Sequence, residues 1–140
     1  MSLENVLETL HMYKPNRMIC LFGSIGGRCV IRRKELGDVA AKLADITVIT
    51  TDNPDDEEPM DIINDIAKSF VDSECEIYKI ADRAEAIYKA LSIAEEGDMI
   101  LITGKGHEKY QIINGERVFY DEKGEVIKAA KRVREEKGLE

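Results

Sequence analysis

The stretch Met18-Ile-Cys-Leu-Phe-Gly-Ser-Ile-Gly-Gly-Arg28 decides the fold. Its first five residues are apolar without alternation, the pattern of a strand buried on both faces. The glycines that follow free the backbone to turn sharply and to approach an anionic group. Upstream, Leu3, Val6, Leu7 and Leu10 recur at helical spacing, and Lys14-Pro15-Asn16 ends that segment. Downstream, Leu36, Val39, Ala40 and Leu43 predict a second helix leading into the apolar run Ile46-Thr-Val-Ile-Thr50.

The alternation continues to the end of the chain. Pro59 suits the first turn of a helix whose apolar stripe is Ile62, Ile63, Ile66, Ala67 and Phe70. Residues 76–80 read as a third strand, and Asp82 with Glu85 as a capping box for a helix through Ile93. Residues 98–102 read as a fourth strand. The tail predicts a hairpin, 110–113 with 118–120 about Asn114-Gly115, then a charged amphipathic helix from about Glu122 to Lys137. Parallel neighbours need crossovers of this length. The expected fold is therefore α/β, a Rossmann-like doubly wound, mostly parallel sheet with a C-terminal hairpin and helix, as one domain over residues 1–140.

Composition narrows the function. With 28 acidic against 20 basic residues, the net charge of −8 repels a phosphate backbone or an anionic surface, so no nucleic-acid or membrane partner is expected. The strongly apolar runs at 18–22 and 99–102 fall short of the roughly 20 residues of a membrane span and the roughly 7–15 of a signal core. Cys20, Cys29 and Cys75 are odd in number and form no Cys-x-x-Cys pair, which suits a reducing cytoplasm. Cys20 and the helical Met and Tyr residues are read as core.

In a doubly wound sheet, ligands gather beyond the carboxyl ends of the strands, so the loops after the first, second and fourth strands are where chemistry is expected. The first, residues 23–28, reads either as an anion contact through Arg28, backed by Arg32, Arg33 and Lys34, or as a plain strand-to-helix turn with a solvated basic helix start. It lacks the Gly-Lys-Ser/Thr ending of a Walker A loop. The second places five carboxylates, Asp52, Asp55, Asp56, Glu57 and Glu58, around the turn Asn53-Pro54 and so attracts a cationic group. Asp56, Glu57 and Glu58 are read as solvated or as complements to the helix dipole. The fourth-strand loop, Gly104-Lys105-Gly106-His107-Glu108, sets a cation between two flexible positions, followed by a titratable ring and a carboxylate. His107 and Glu108 are adjacent and no Cys-His cluster accompanies them, so no metal site is assigned. His11 is read as a surface or half-buried residue.

Taken together, these blocks resemble the C-terminal domain of the Mur ligases, specifically those that add a diamino acid to UDP-N-acetylmuramoyl-L-alanyl-D-glutamate. The matching pieces are Leu21-Phe22-Gly23-Ser24 with Arg28 and Arg33, Thr51-Asp52-Asn53-Pro54 with Glu58-Pro59, residues 82–87, and 104–108 followed by Tyr110-Gln111. The resemblance implies an ATP-dependent ligase of peptidoglycan precursor synthesis. ATP activates the glutamate carboxylate as an acyl phosphate, which the incoming amine attacks. This domain is then the lid that holds the amino acid. ATP and Mg2+ belong to the intact enzyme and are not bound mainly here, and the dipeptide partner is held by N-terminal and central domains without counterpart in these residues. The resemblance makes the chain an excised domain, with Met1-Ser2-Leu3 as an engineered start, unable to turn over alone.

Carried over by position, the resemblance makes Arg28 the partner of the amino acid's carboxylate, and Asp52 and Asn53 the groups that orient it. Glu108 and the Gly104 backbone receive the distal amine. Arg33, Lys105 and His107 are assigned to loop shape or the nucleotide side, and no residue of this chain is assigned a catalytic role. Two loops depart from the family: the first at Gly27 and Ile25, and the second at Asp55, where members using meso-diaminopimelate carry an arginine for the distal carboxylate. An acid there repels a carboxylate and leaves it unpaired, so L-lysine or ornithine is expected over meso-diaminopimelate. The alternatives are a Mur-like ligase acting on another carboxylate, such as the folate or cyanophycin enzymes, and a receiver-like or nucleotide-binding α/β module. The receiver reading is disfavoured by arginines where acids are needed after the first strand.

Overall fold

In the computed structural model, residues 2–23, 30–103 and 110–138 are described. Helix α1 (Leu3–His11) leads into strand β1 (Met18–Phe22), α2 (Val30–Leu43) and β2 (Ile46–Ile49). Then come α3 (Pro59–Ala67) with a 3-10 turn at Lys68–Phe70, β3 (Glu76–Lys79), α4 (Arg83–Ile93) and β4 (Met99–Ile102). The hairpin strands β5 (Tyr110–Ile113) and β6 (Glu116–Phe119) and helix α5 (Glu122–Glu136) complete the order. The first four strands form a parallel sheet in the order β3-β2-β1-β4, and β5 and β6 pair antiparallel.

The unbroken apolar run of β1 follows from its central place. Met18, Cys20 and Phe22 face one cluster, with Leu3, Leu7, Ile62, Ile63 and Ile66 from α1 and α3, while Ile19 and Leu21 face another, with Ala86, Ile87, Ala90 and Ala129 from α4 and α5. The sheet is thus covered on both faces, as the pattern requires. Burial pushes the Cys20 thiol up to about 12, so it is inert packing at neutral pH. Met12 and Tyr13 are exceptions to the core reading. They lie just past α1 at 79% and 71% exposure, where the chain turns through Lys14 in the left-handed region before Pro15.

Local signals for element ends hold. Ser2 caps α1 by accepting from the Asn5 amide, and Asp82 caps α4 by accepting from the Glu85 amide. The Glu85 carboxylate lies 3.5 Å from Arg132 of α5. The Asn114-Gly115 turn has both residues at positive φ, 51° and 77°, as a type I′ hairpin needs. The second hairpin strand begins two residues earlier than its apolar pattern suggests, because Ile112 pairs with Arg117 and Ile113 with Glu116.

At the amino ends of the strands, away from the candidate loops, Asp98 fastens the β4 edge. Its Oδ2 accepts from Arg17 Nε and Nη2, at 3.0 and 2.6 Å, and from the Glu95 amide at 2.8 Å. The hydrogen bonds from Arg17 hold the carboxyl below its ordinary range. A depressed folded pKa contributes stability above the unfolded value, which is about 4, and loses it as pH falls through the folded value. Asp98→Asn therefore lowers the melting temperature at pH 7, and the gap to the parent closes below about pH 4. Paired thermal melts at the two pH values check this.

Candidate functional site

The sheet order reverses between β1 and β4, where a doubly wound fold opens its crevice. The carboxyl end of β1 leads to Gly23, and that of β4 to Thr103. At Gly23 the chain packs directly on the next loop. A Cβ there would lie 2.5 Å from the Thr50 carbonyl and 2.8 Å from the Asp52 amide, so only glycine allows the two strand ends to meet.

The loop after β2 is buried rather than splayed into solvent. Thr51, Asp52 and Asn53 are each under 9% exposed. Thr51 Oγ1 donates to the Ala81 carbonyl at 2.6 Å. The β5–β6 hairpin covers the other side. Gln111 Nε2 donates to the Asp52 carbonyl at 3.1 Å, and the Ile112 amide to Asn53 Oδ1 at 3.0 Å. Asp55, at φ 53°, donates its amide to the Ile112 carbonyl, and its own carbonyl and Oδ1 accept from the amides of Asn114 and Gly115. The structure thus brings Asp52, Asn53 and Asp55 together, and one Asp55 oxygen serves the hairpin turn.

Beneath this loop sits Arg83, in the first turn of α4 with its side chain fully buried. Its Nη1 donates to the Thr51 carbonyl at 3.1 Å and its Nη2 to the Thr103 carbonyl at 3.0 Å. The other edge of the guanidinium forms a two-point pair with Glu122 at 2.9 and 2.6 Å. Tyr120 also donates to Glu122, at 2.7 Å. One side chain therefore joins the ends of β2 and β4, the start of α4 and the junction of hairpin and α5. Burial alone lowers the Arg83 pKa, but hydrogen bonding and charge from Glu122 outweigh it, and burial with the same carboxylate pushes the Tyr120 phenol up.

A second buried arginine shapes the loop from the side. Arg33 is 5% exposed, and it donates to Glu57 at 2.5 Å and Asp65 at 3.2 Å, tying α2 to the loop and to α3. This corrects the reading of Glu57 as a solvated acid and of the start of α2 as a solvated basic face, at Arg33. The two carboxylates offset the cost of burying the guanidinium charge, although the Arg33 Nε has no hydrogen-bond partner among the described residues. Arg28, Gly104, Lys105, His107 and Glu108 lie outside the described residues. Among the described residues, no group of three or more His, Cys, Asp or Glu is placed to hold a metal ion. No described helix is long and apolar enough to cross a membrane.

Sequence reasoning missed the Arg83–Glu122 pair as a structural hub. One signal was present: an arginine directly after the N-cap opposes the helix dipole and calls for a local acid or carbonyl partner.

The sequence pattern of the family described as Mur ligase, glutamate ligase domain, matches residues 1–106. This chain belongs to the Mur ligase family. Among curated relatives of this Mur ligase domain is the UDP-N-acetylmuramoyl-L-alanyl-D-glutamate--2,6-diaminopimelate ligase of Clostridium perfringens, 48% identical over 122 residues, or 87% of the chain and 25% of the relative. The enzyme of the same name from Synechocystis sp. is 42% identical over 128 residues, 91% of the chain and 25% of the relative. A solved structure of an enzyme with that name superposes with a TM-score of 0.86 at 36% identity, covering 93% of this chain and 27% of the other. The Mur ligase domain described here thus spans about a quarter of the length of its relatives.

Proposed function

We propose that the chain is the amino-acid-binding lid of an ATP-dependent ligase that joins a diamino acid to the glutamate of UDP-N-acetylmuramoyl-L-alanyl-D-glutamate, without turning over alone. The observation that carries this reading is the buried loop of Asp52 and Asn53 at the strand ends, braced by Arg83 and the hairpin. In this reading Arg28 clamps the α-carboxylate as a fork, while Asp52 and Asn53 orient the acid, and Glu108 with the Gly104 backbone takes the distal ammonium. ATP and Mg2+ act in the intact enzyme. The first loop lacks the Gly-Lys-Ser/Thr ending of a nucleotide-binding loop, and among the described residues no metal-ligand cluster is present, so this reading places the nucleotide-metal site mainly outside this domain.

The relatives' names point to 2,6-diaminopimelate as acceptor and do not bear out a preference for L-lysine. One observation favours L-lysine as a second reading: residue 55 is an acid, so it brings no cation to a distal carboxylate. The test is competitive ligation by the longer polypeptide of which this reading makes the chain one domain, with L-lysine, meso-diaminopimelate and L-norleucine, which lacks the distal amine. Norleucine is expected to be ligated at least about 100-fold less efficiently, because it offers no ammonium to the carboxylate proposed to receive the distal amine. Comparable ligation of norleucine overturns the diamino-acid reading, and the ratio of the other two products decides the acceptor.

A further inference from the structure

The type I′ turn at Asn114-Gly115 leaves two amides, those of its central residues, outside the β5–β6 ladder. Asp55 takes both. Its carbonyl accepts from Asn114 at 2.6 Å and its Oδ1 from Gly115 at 2.7 Å, while its own amide donates to Ile112 at 2.9 Å. The fit needs two properties of one residue. Its backbone must hold φ near 53°, which aspartate and asparagine tolerate better than most residues, and its short side chain must present an acceptor. Arginine supplies no acceptor at all. Residues 53 and 52 add the bonds from Ile112 and Gln111, so the whole acceptor loop rests on the hairpin that begins directly after residues 104–109.

We infer that Asp55 is a positioning residue that clasps the acceptor loop to the hairpin, so that the shape of the acceptor site depends on this clasp and not on the charge at residue 55. The inference rests on the ligase reading above and deepens it. It also explains how an acid is accommodated there: its carboxylate completes a turn. Installing a cation at residue 55 then releases the hairpin instead of creating a new carboxylate site.

The experiment compares Asp55→Asn, Asp55→Gly and Asp55→Arg. Amide exchange at residues 114 and 115 is measured in the 140-residue chain, and steady-state kinetics in the longer ligase. The glycine variant keeps the left-handed backbone and removes only the carboxylate. Exchange at Gly115 is expected to rise about tenfold in the Gly and Arg variants, with acceptor KM rising by a similar factor and the KM for ATP staying within about twofold. Asparagine, which keeps the acceptor oxygen, is expected to restore both to within about threefold. Unchanged exchange in the Gly variant, an acceptor KM that does not follow it, or an Asp55→Arg enzyme that gains preference for meso-diaminopimelate overturns the inference. A parent enzyme without ligase activity sinks the ligase reading and the positioning role with it, while the exchange data still decide whether the clasp exists.

Discussion

Arg83→Ala is expected to lower the melting temperature of the chain by roughly 10–15 °C. The substitution strands the Glu122 carboxylate, which is 11% exposed, and removes the donors on the Thr51 and Thr103 carbonyls. Breaking a buried pair from one side costs about 3–5 kcal/mol, and a domain of this size loses about 3 °C per kcal/mol. Glu122→Ala is expected to do the same from the other side. The double variant Arg83→Met with Glu122→Leu is expected to melt above either single variant, because it leaves no unpaired charge and only the two carbonyls and the Tyr120 hydroxyl to satisfy. Calorimetry or thermal circular dichroism on the four chains checks this. Single variants that melt within about 3 °C of the parent, a loss of only about 1 kcal/mol, contradict the hub role.

The second large effect is on activity. Arg28→Ala in the longer ligase is expected to reduce kcat/KM for the diamino acid by about 100- to 1000-fold, the value of a desolvated, two-point guanidinium-carboxylate contact. Lysine at this position restores only part of the loss, since a point charge does not reproduce the fork. The KM for the UDP-muramoyl dipeptide is expected to hold within a few-fold, because the proposed lid does not carry that partner. A loss below about tenfold, or one shared equally by all substrates, removes Arg28 from the acceptor site.

The pattern of residues makes the layered fold legible, and the reason lies in particular elements. Met18 to Phe22 is apolar throughout because alternate residues serve two cores, and that alone places β1 in the middle of a covered sheet. Asp82 and Asn114-Gly115 mark a helix end and a turn by local chemistry that needs no tertiary knowledge. The long-range polar contacts were not legible. Arg83 meets Glu122 from 39 residues away, Arg33 meets Glu57 from 24, and Asp55 meets Gly115 from 60. Periodicity says which face a side chain takes, whereas the partner of a buried charge depends on how loops from different strands converge. The acidic loop illustrates the difference. Its charge invited a ligand reading for Asp52, Asn53 and Asp55 and a solvated one for Glu57, yet Glu57 pairs with a buried arginine and Asp55 completes a hairpin, which leaves Asp52 and Asn53 as its described candidates for the acceptor.

The central claim is that this domain supplies the acceptor site of a larger ligase and does not catalyse by itself. The most direct measurement is ATP-dependent formation of UDP-muramoyl tripeptide from UDP-N-acetylmuramoyl-L-alanyl-D-glutamate and a diamino acid, run in parallel with the longer polypeptide and with the 140-residue chain. The account predicts product from the longer polypeptide, released in step with ADP and dependent on the diamino acid, and none from the chain alone. Steady turnover by the chain alone, or tripeptide formation that persists when the domain is deleted, would contradict it.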